Sequence, residues 1–392
     1  MNVAQKLWRR GRDLFPVAGF HFDHPIVLFQ SDDWGRVGLR EQEGLEELRA
    51  GGLALGERPY DFYTLENSDD LSELSALLKR HCDSNGCHPS IQMNFILANL
   101  DFARMSADAY QKIHMLPLAE GLPQGWHRAG LMDAYREGME GGFFCPGLHG
   151  TTHFCRSAVE RSLAEDGERA DLLRTLWRAG IPYIHWRMPW IGYEYWDPEK
   201  TEDERFLVAE AQRELIGQTV GAFAKLFSKL PRSACAPGYR ANSDTHQAWA
   251  QHGIRVAQNG PGALMPPHFD RYEILHLCRT VEFEPAVDSA FSVGKCLLQA
   301  DACFELGIPV VVSVHTINFH SAVRDFRSDT LRMLDQFLTA IESKYPDLLY
   351  LHDENVYELV MEGAFRTKRG TTRLNVTKKN FSRAEVLRLE NI

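Results

Sequence analysis

Ile26-Val27-Leu28-Phe29-Gln30-Ser31-Asp32-Asp33-Trp34-Gly35 runs from four consecutive apolar residues straight into two adjacent carboxylates. An apolar run without polar alternation suits a parallel strand buried on both faces. The same signature recurs at Ile91–Leu97, Phe143–Leu148, Tyr183–Trp186, Ala234–Pro237, Ile254–Gln258, Ile274–Cys278, Pro309–Val314 and Leu348–Leu351. Amphipathic stretches of helical period lie between them at 70–81, 158–179, 204–230, 244–253, 293–306 and 328–344. Gly180, Gly253 and Gly307 stand just past three of these helix ends. Strand and helix repeated this way predict an α/β fold. Nine strands exceed a sheet of seven or eight, so one or two should lie outside it. We expect a distorted (β/α) barrel of about seven strands rather than a doubly wound sheet, although periodicity alone does not separate the two.

The expected layout is one domain over residues 1–362 with large loop insertions. These fall at about 40–141, in blocks near 40–90 and 100–141, and at 181–203. A basic tail follows at 363–392, read as a solvated tail or a partner-docking strand. The net charge of −10 over 392 residues disfavours a nucleic-acid-binding surface, and 44% hydrophobic with 24% charged residues is ordinary globular composition. The apolar run Ile308–Val314 spans about a third of the ~20 residues a membrane helix needs. The first eleven residues, MNVAQKLWRRG, lack the apolar stretch of a secretory signal. Eight cysteines without a regular framework favour free thiols and a cytoplasmic location. His81-Cys82-x4-Cys87-His88 has tolerable zinc spacing, but Asp83-Ser84-Asn85-Gly86 reads as a turn with two ordinary thiols beside it.

Adjacent carboxylates at a strand's C-terminal end point differently, so one can bind a metal while its neighbour handles a proton. That end of a parallel sheet is also where active sites collect. Ser68-Asp69-Asp70 repeats the tripeptide Ser31-Asp32-Asp33, yet it precedes a periodic helix and reads as an N-cap. His149-Gly150-Thr151-Thr152-His153 spaces two imidazoles four apart after a second buried strand. If a helix starts at the threonines, both rings can grip one cation. A third strand ends on His315, a candidate acid, with His320 a weaker second candidate.

In this order the motifs resemble the polysaccharide deacetylases of carbohydrate esterase family 4, the NodB-homology group. The resemblance implies Asp32 as catalytic base, Asp33, His149 and His153 as metal ligands, and His315 as general acid. It also implies that the backbone N–H of Tyr239, in Ala236-Pro237-Gly238-Tyr239, helps hold an oxyanion. The chain departs from the family pattern in three places. No arginine opens the third motif, where Arg187 or Arg240 could substitute. No aspartate is found to support the acid, and 116 residues separate Asp33 from His149. The implied cofactor is one divalent ion, Zn²⁺ first, with Ni²⁺, Co²⁺ or Mn²⁺ as alternatives.

The implied activity is metal-dependent hydrolysis of an acyl group, N-acetyl foremost, from a carbohydrate or glycan precursor. Alternatives are a cyclic amide or ureide hydrolase with the same site, or a non-catalytic glycan-binding relative. Trp34, Arg187, Trp190, Arg240 and His320 are the substrate-binding candidates. The aromatic stretch from Tyr183 to Trp196 is either a glycan platform or a packed insertion that could serve as a homo-oligomer contact.

Overall fold

The computed structural model describes residues 16–262 and 264–386. The apolar runs form parallel strands at Ile26–Trp34, Ile91–Ile96, Phe144–Gly150, Ser233–Cys235, Val256–Asn259, Leu275–Cys278, Val281–Glu282 and Val310–His315. They pair in chain order from Ile26–Trp34 to Leu275–Cys278. The last, Val310–His315, returns to lie beside the first. Leu275–Cys278 and Val281–Glu282 are two halves of one extended run. The first half pairs with Val256–Asn259 and the second with Val310–His315. Across the break, Arg279 N–H donates to Asn259 O (3.1 Å) and Thr280 N–H to Val311 O (2.9 Å). The run thus bridges both edges and closes a seven-stranded barrel, distorted where it changes partner.

Closure explains why the strands show no polar alternation. Ile26, Leu28, Val256, Leu275, Leu277 and Val311 pack together inside, whereas Val27, Phe29, Ile91, Met93, Val310 and Val312 join the core beneath the outer helices. Both faces are dry at that depth. Toward the strands' C-terminal ends the interior turns polar. Gln258 Nε2 donates to Asn94 Oδ1 (3.0 Å) and Asp353 Oδ2 (2.9 Å), and Gln30 Nε2 donates to Asp353 Oδ1 (2.9 Å). Residues on non-adjacent strands can meet only through the barrel, so this layer spans its lumen. At its top the fully buried Arg279 donates from Nη2 to Asp32 Oδ1 (2.6 Å) and from Nη1 to Asp32 Oδ2 (2.8 Å).

Several expectations need correction. Tyr183–Trp186 is not a strand; the chain enters the short turn His185–Arg187 there. Leu349–Tyr350 pairs only with Ile26 and Val27, outside the ring. The blocks near 40–90 and 100–141 lie on either side of Ile91–Ile96, which is a barrel strand as expected. Residues 363–381 are not a free tail. Ala364–Thr367 and Gly370–Arg373 form a hairpin, and Val376–Phe381 pairs antiparallel with Val17–Phe22, anchored by buried Phe365 and Phe381. Both ring nitrogens of His81 face Glu342 and Asp335, a pairing that leaves the His81–His88 segment an ordinary turn. The eight cysteines are free thiols. Among the described residues no helix is long and apolar enough to cross a membrane. The N-terminal eleven residues and 387–392 lie outside the described residues.

Removing one partner from a buried ion pair strands the other charge. Arg279→Leu should therefore lower unfolding free energy by about 3–5 kcal/mol in urea titrations. Adding Asp32→Asn to the same chain should recover part of that loss; a single-variant loss below about 1 kcal/mol would show that the pair is not buried as described.

Candidate functional site

Neighbouring side chains on a regular strand point to opposite faces, yet Asp32 and Asp33 both line one cavity. The backbone makes this happen. Pairing with Ile91–Ile96 jumps from Ser31↔Met93 to Trp34↔Phe95, which sets Asp32 and Asp33 against a single partner residue. Asp33 takes φ +76°, a left-handed conformation that Asp tolerates better than most residues. Tyr63 Oη donates to the Asp33 carbonyl (2.8 Å) and Arg36 lies 3.5 Å from Asp33 Oδ2, so the bulge is held from two sides.

His149, next to last in its strand, has Nδ1 2.8 Å from Cys235 O. A carbonyl only accepts, so Nδ1 carries the proton and the Nε2 lone pair faces Asp33 Oδ1 at 3.6 Å. His153 Nε2 lies 3.4 Å from the same oxygen. The two histidines do not share a helical turn as expected: the helix starts only at Arg156. A loop brings them together, and the Glu194 carboxylate pins it by accepting from Thr151 N–H (2.7 Å) and Thr152 N–H (3.0 Å). Gly150, at φ +147°, lets that carboxylate approach, because a Cβ there would meet Glu194 Oε2. Burial pushes Glu194 up to about 7, against the pull of those two amides.

Asp33 and His149/His153 therefore converge across the 116-residue gap, with their ligand atoms within 4.8 Å of one another. Asp33 Oδ1 and His149 Nε2 are buried without a hydrogen bond. Buried polar atoms ordinarily have partners, and two imidazoles with one carboxylate make a donor set for a divalent ion with coordination positions to spare. The residues fit the metal. Burial lowers His153 well below the usual histidine range, which keeps the ring neutral as a ligand must be.

On the other side of Asp33 lie Asp32 and His315. Asp32 accepts from Arg279 at both oxygens and from Asn94 Nδ2 (2.7 Å). Burial opposes its charge, but Arg279 and the nearby histidines outweigh burial and hold it well below the usual carboxylate range. His315 Nδ1 is 2.6 Å from Glu284 Oε1, and its Nε2 is 3.8 Å from Asp32 Oδ2. Burial here also opposes charge, and Glu284 with the two aspartates overcomes it to raise His315 to about 9.

The remaining candidates divide. Tyr239, Arg240 and His315 line the cavity with Asp32, Asp33, His149 and His153. Tyr239 N–H, however, donates to Ala236 O (2.8 Å) within its own turn, whereas its hydroxyl accepts from Arg279 Nη1 (2.8 Å). Arg187 donates to Ala54 O and Arg240 lies over Trp196, so neither supports Asp32. Trp34 is buried and donates to Ser31 Oγ; His320 is buried against Tyr63; Trp190 sits under Arg169. None of these three lines the cavity.

Sequence reading missed Arg279, Glu284 and Glu194. Arg279 left one trace, a lone arginine between the apolar residues Leu275, Leu277 and Val281, Phe283. Glu284 and Glu194 left none.

No family model matches the sequence, and no curated protein matches it. Solved structures similar to the chain include a protein from Mycobacterium smegmatis described as a polysaccharide deacetylase. It is 11% identical, covers 89% of this chain and 95% of its own, and gives a TM-score of 0.45. A family 4 carbohydrate esterase from Streptomyces lividans is 12% identical over 83% and 91%, with a TM-score of 0.34. A GH57-type branching enzyme from Pyrococcus horikoshii is 11% identical over 87% and 70%, with a TM-score of 0.36.

His315 offers a direct check. Ring-proton NMR should find one histidine titrating near 9, and Glu284→Gln should bring it down toward the ordinary range. Because its folded value lies above the ordinary 6.5, the stabilisation it brings is complete below about 6.5 and lost as pH rises through about 9. A His315 resonance that titrates below 7 in the unaltered protein would contradict the Glu284 pairing.

Proposed function

We propose that this chain is a metal-dependent hydrolase that removes an acyl group from an amide nitrogen, with a carbohydrate or glycan precursor as the carrier. One observation supports the reading above the others. In a single cavity, one group is held ionised (Asp32) and another protonated (His315), 3.8 Å apart, beside a three-residue donor set for a cation. Opposed pKa directions at neighbouring groups are how acid and base assignments reveal themselves.

Asp33, His149 and His153 would hold the ion. When bound, a divalent ion polarises the substrate carbonyl and acidifies water. Asp32, kept ionised at neutral pH, accepts a proton from the attacking water. Arg279 holds both its oxygens and Asn94 adds a second bond to Oδ1, so that the carboxylate does not rotate away. His315, protonated at neutral pH, hands its Nε2 proton to the departing amine while Glu284 keeps the ring oriented through Nδ1. The Tyr239 amide is committed to its own turn, so it serves the oxyanion only if that turn opens on binding. We place its action in the cytoplasm, in keeping with the eight free thiols.

Purified protein should carry about one divalent ion by plasma emission analysis, and Asp33→Ala or His153→Ala should lose it; retention in both variants would refute the ligand set. Asp32→Asn should keep the ion while hydrolysis falls by about 10²–10⁴-fold. Acetate release from N-acetyl sugars, set against ring opening of cyclic amides, separates the proposal from the ureide alternative.

A further inference from the structure

We propose that the acyl group taken by this site is apolar and larger than acetyl. The chemistry rests on the hydrolase reading above; the shape and lining of the cavity stand independently of it.

The cavity holds about 630 Å³, within the range of roughly 300–1,000 Å³ of small-molecule sites. The reacting groups occupy one part. Another part is a pouch made by Val37, Leu39, Leu45, Leu55, Ile181 and Ile184, each of which is buried. Two polar groups at its rim are committed elsewhere through most of their polar atoms. Asp61 Oδ1 accepts from Trp186 Nε1 (2.9 Å), and its Oδ2 accepts from the amides of Gly56, Glu57 and Arg58. Arg36 is paired with Asp33 and donates to Tyr183 Oη (3.2 Å). A sugar hydroxyl placed among those six aliphatic side chains would lose water and gain no partner from them, at a cost that methylene groups do not bear.

Two insertions build the pouch and are stitched together over it. Beside the Trp186–Asp61 bond, Arg187 Nη2 donates to Ala54 O (2.9 Å), and the Arg58 guanidinium lies 4.1 Å from the Trp186 ring centre. This explains what Arg187 does instead of supporting the base. It also makes the pouch a pocket for one end of a small molecule rather than a groove for the middle of a polymer.

The pouch belongs to the acyl side. His315 must reach the leaving amine, so the amine lies toward His315. The pouch meets the site instead at Arg36–Val37, which continue the chain from Asp33, and at His185, packed against His153 with ring centres 5.4 Å apart.

The test uses the full-length, zinc-replete protein and one amine, glucosamine, carrying acetyl, hexanoyl or phenylacetyl groups. Each methylene buried in the pouch is worth about a fourfold gain, so hexanoyl should exceed acetyl in kcat/KM by at least tenfold. Leu45→Trp or Leu55→Trp, checked for an unchanged thermal transition, should cut the hexanoyl-to-acetyl ratio by at least tenfold. Calorimetric titration gives a second readout that needs no turnover: hexanoate should bind at least tenfold more tightly than acetate, and less tightly to the filled variants. Equal or better cleavage of acetyl, or a ratio indifferent to both substitutions, overturns the inference. Selective hexanoate binding without turnover on any substrate supports the pouch and overturns the hydrolase reading. Neither turnover nor selective binding overturns both.

Discussion

Arg279 holds Asp32 by two parallel hydrogen bonds inside a barrel that closes at that very arginine. The run 275–282 turns from one neighbour to the other around residues 279–280, and the side chain at the turn enters the lumen. A guanidinium there would be prohibitive without a carboxylate to meet it, and a carboxylate there would protonate without the guanidinium. Each makes the other tolerable. The pair therefore ties closure of the fold to the charge state of the residue proposed to accept a proton. The polar layer beneath, with Gln30, Asn94, Gln258 and Asp353, satisfies what the pair leaves over and ties its position to three strands and the helix Asp353–Glu362.

The reacting face is assembled by departures from regular structure. A strand without the Asp32–Asp33 bulge would send one carboxylate into the helix-facing core. A loop without Gly150 would exclude the Glu194 carboxylate that fixes the turn between His149 and His153. Such conformations persist only where surrounding contacts over-determine them, and here Tyr63, Arg36 and Glu194 supply those contacts.

Much of the barrel was legible because its evidence is local. Ile26–Gln30 and Pro309–Val314 are apolar runs that no other element explains, and eight of the nine expected strands exist in some form. Tyr183–Trp186 misled because aromatic and β-branched residues also line cavities, where they satisfy burial without a ladder. The strand pairing of 363–381 was hidden because its partner, Val17–Phe22, lies at the other end of the chain. Strand ends pointed to Asp32, Asp33, His149 and His315 for the same local reason. Arg279, Glu284 and Glu194 act through side-chain contacts across 247, 31 and 42 residues respectively, and no spacing rule reaches that far. The third-motif arginine was sought in sequence beside its expected motif. In space, it is Arg279, from another strand, that meets Asp32.

Asp33, His149 and His153 are proposed to share one ion. A second grouping, Asp32 with His149 and Cys235, lies close enough to compete for it. X-ray absorption at the zinc edge of the loaded protein separates the two. The account predicts a shell of nitrogen and oxygen near 2.0 Å with the multiple-scattering pattern of two imidazoles and no sulfur. A sulfur scatterer at about 2.3 Å, or a single imidazole, would contradict it.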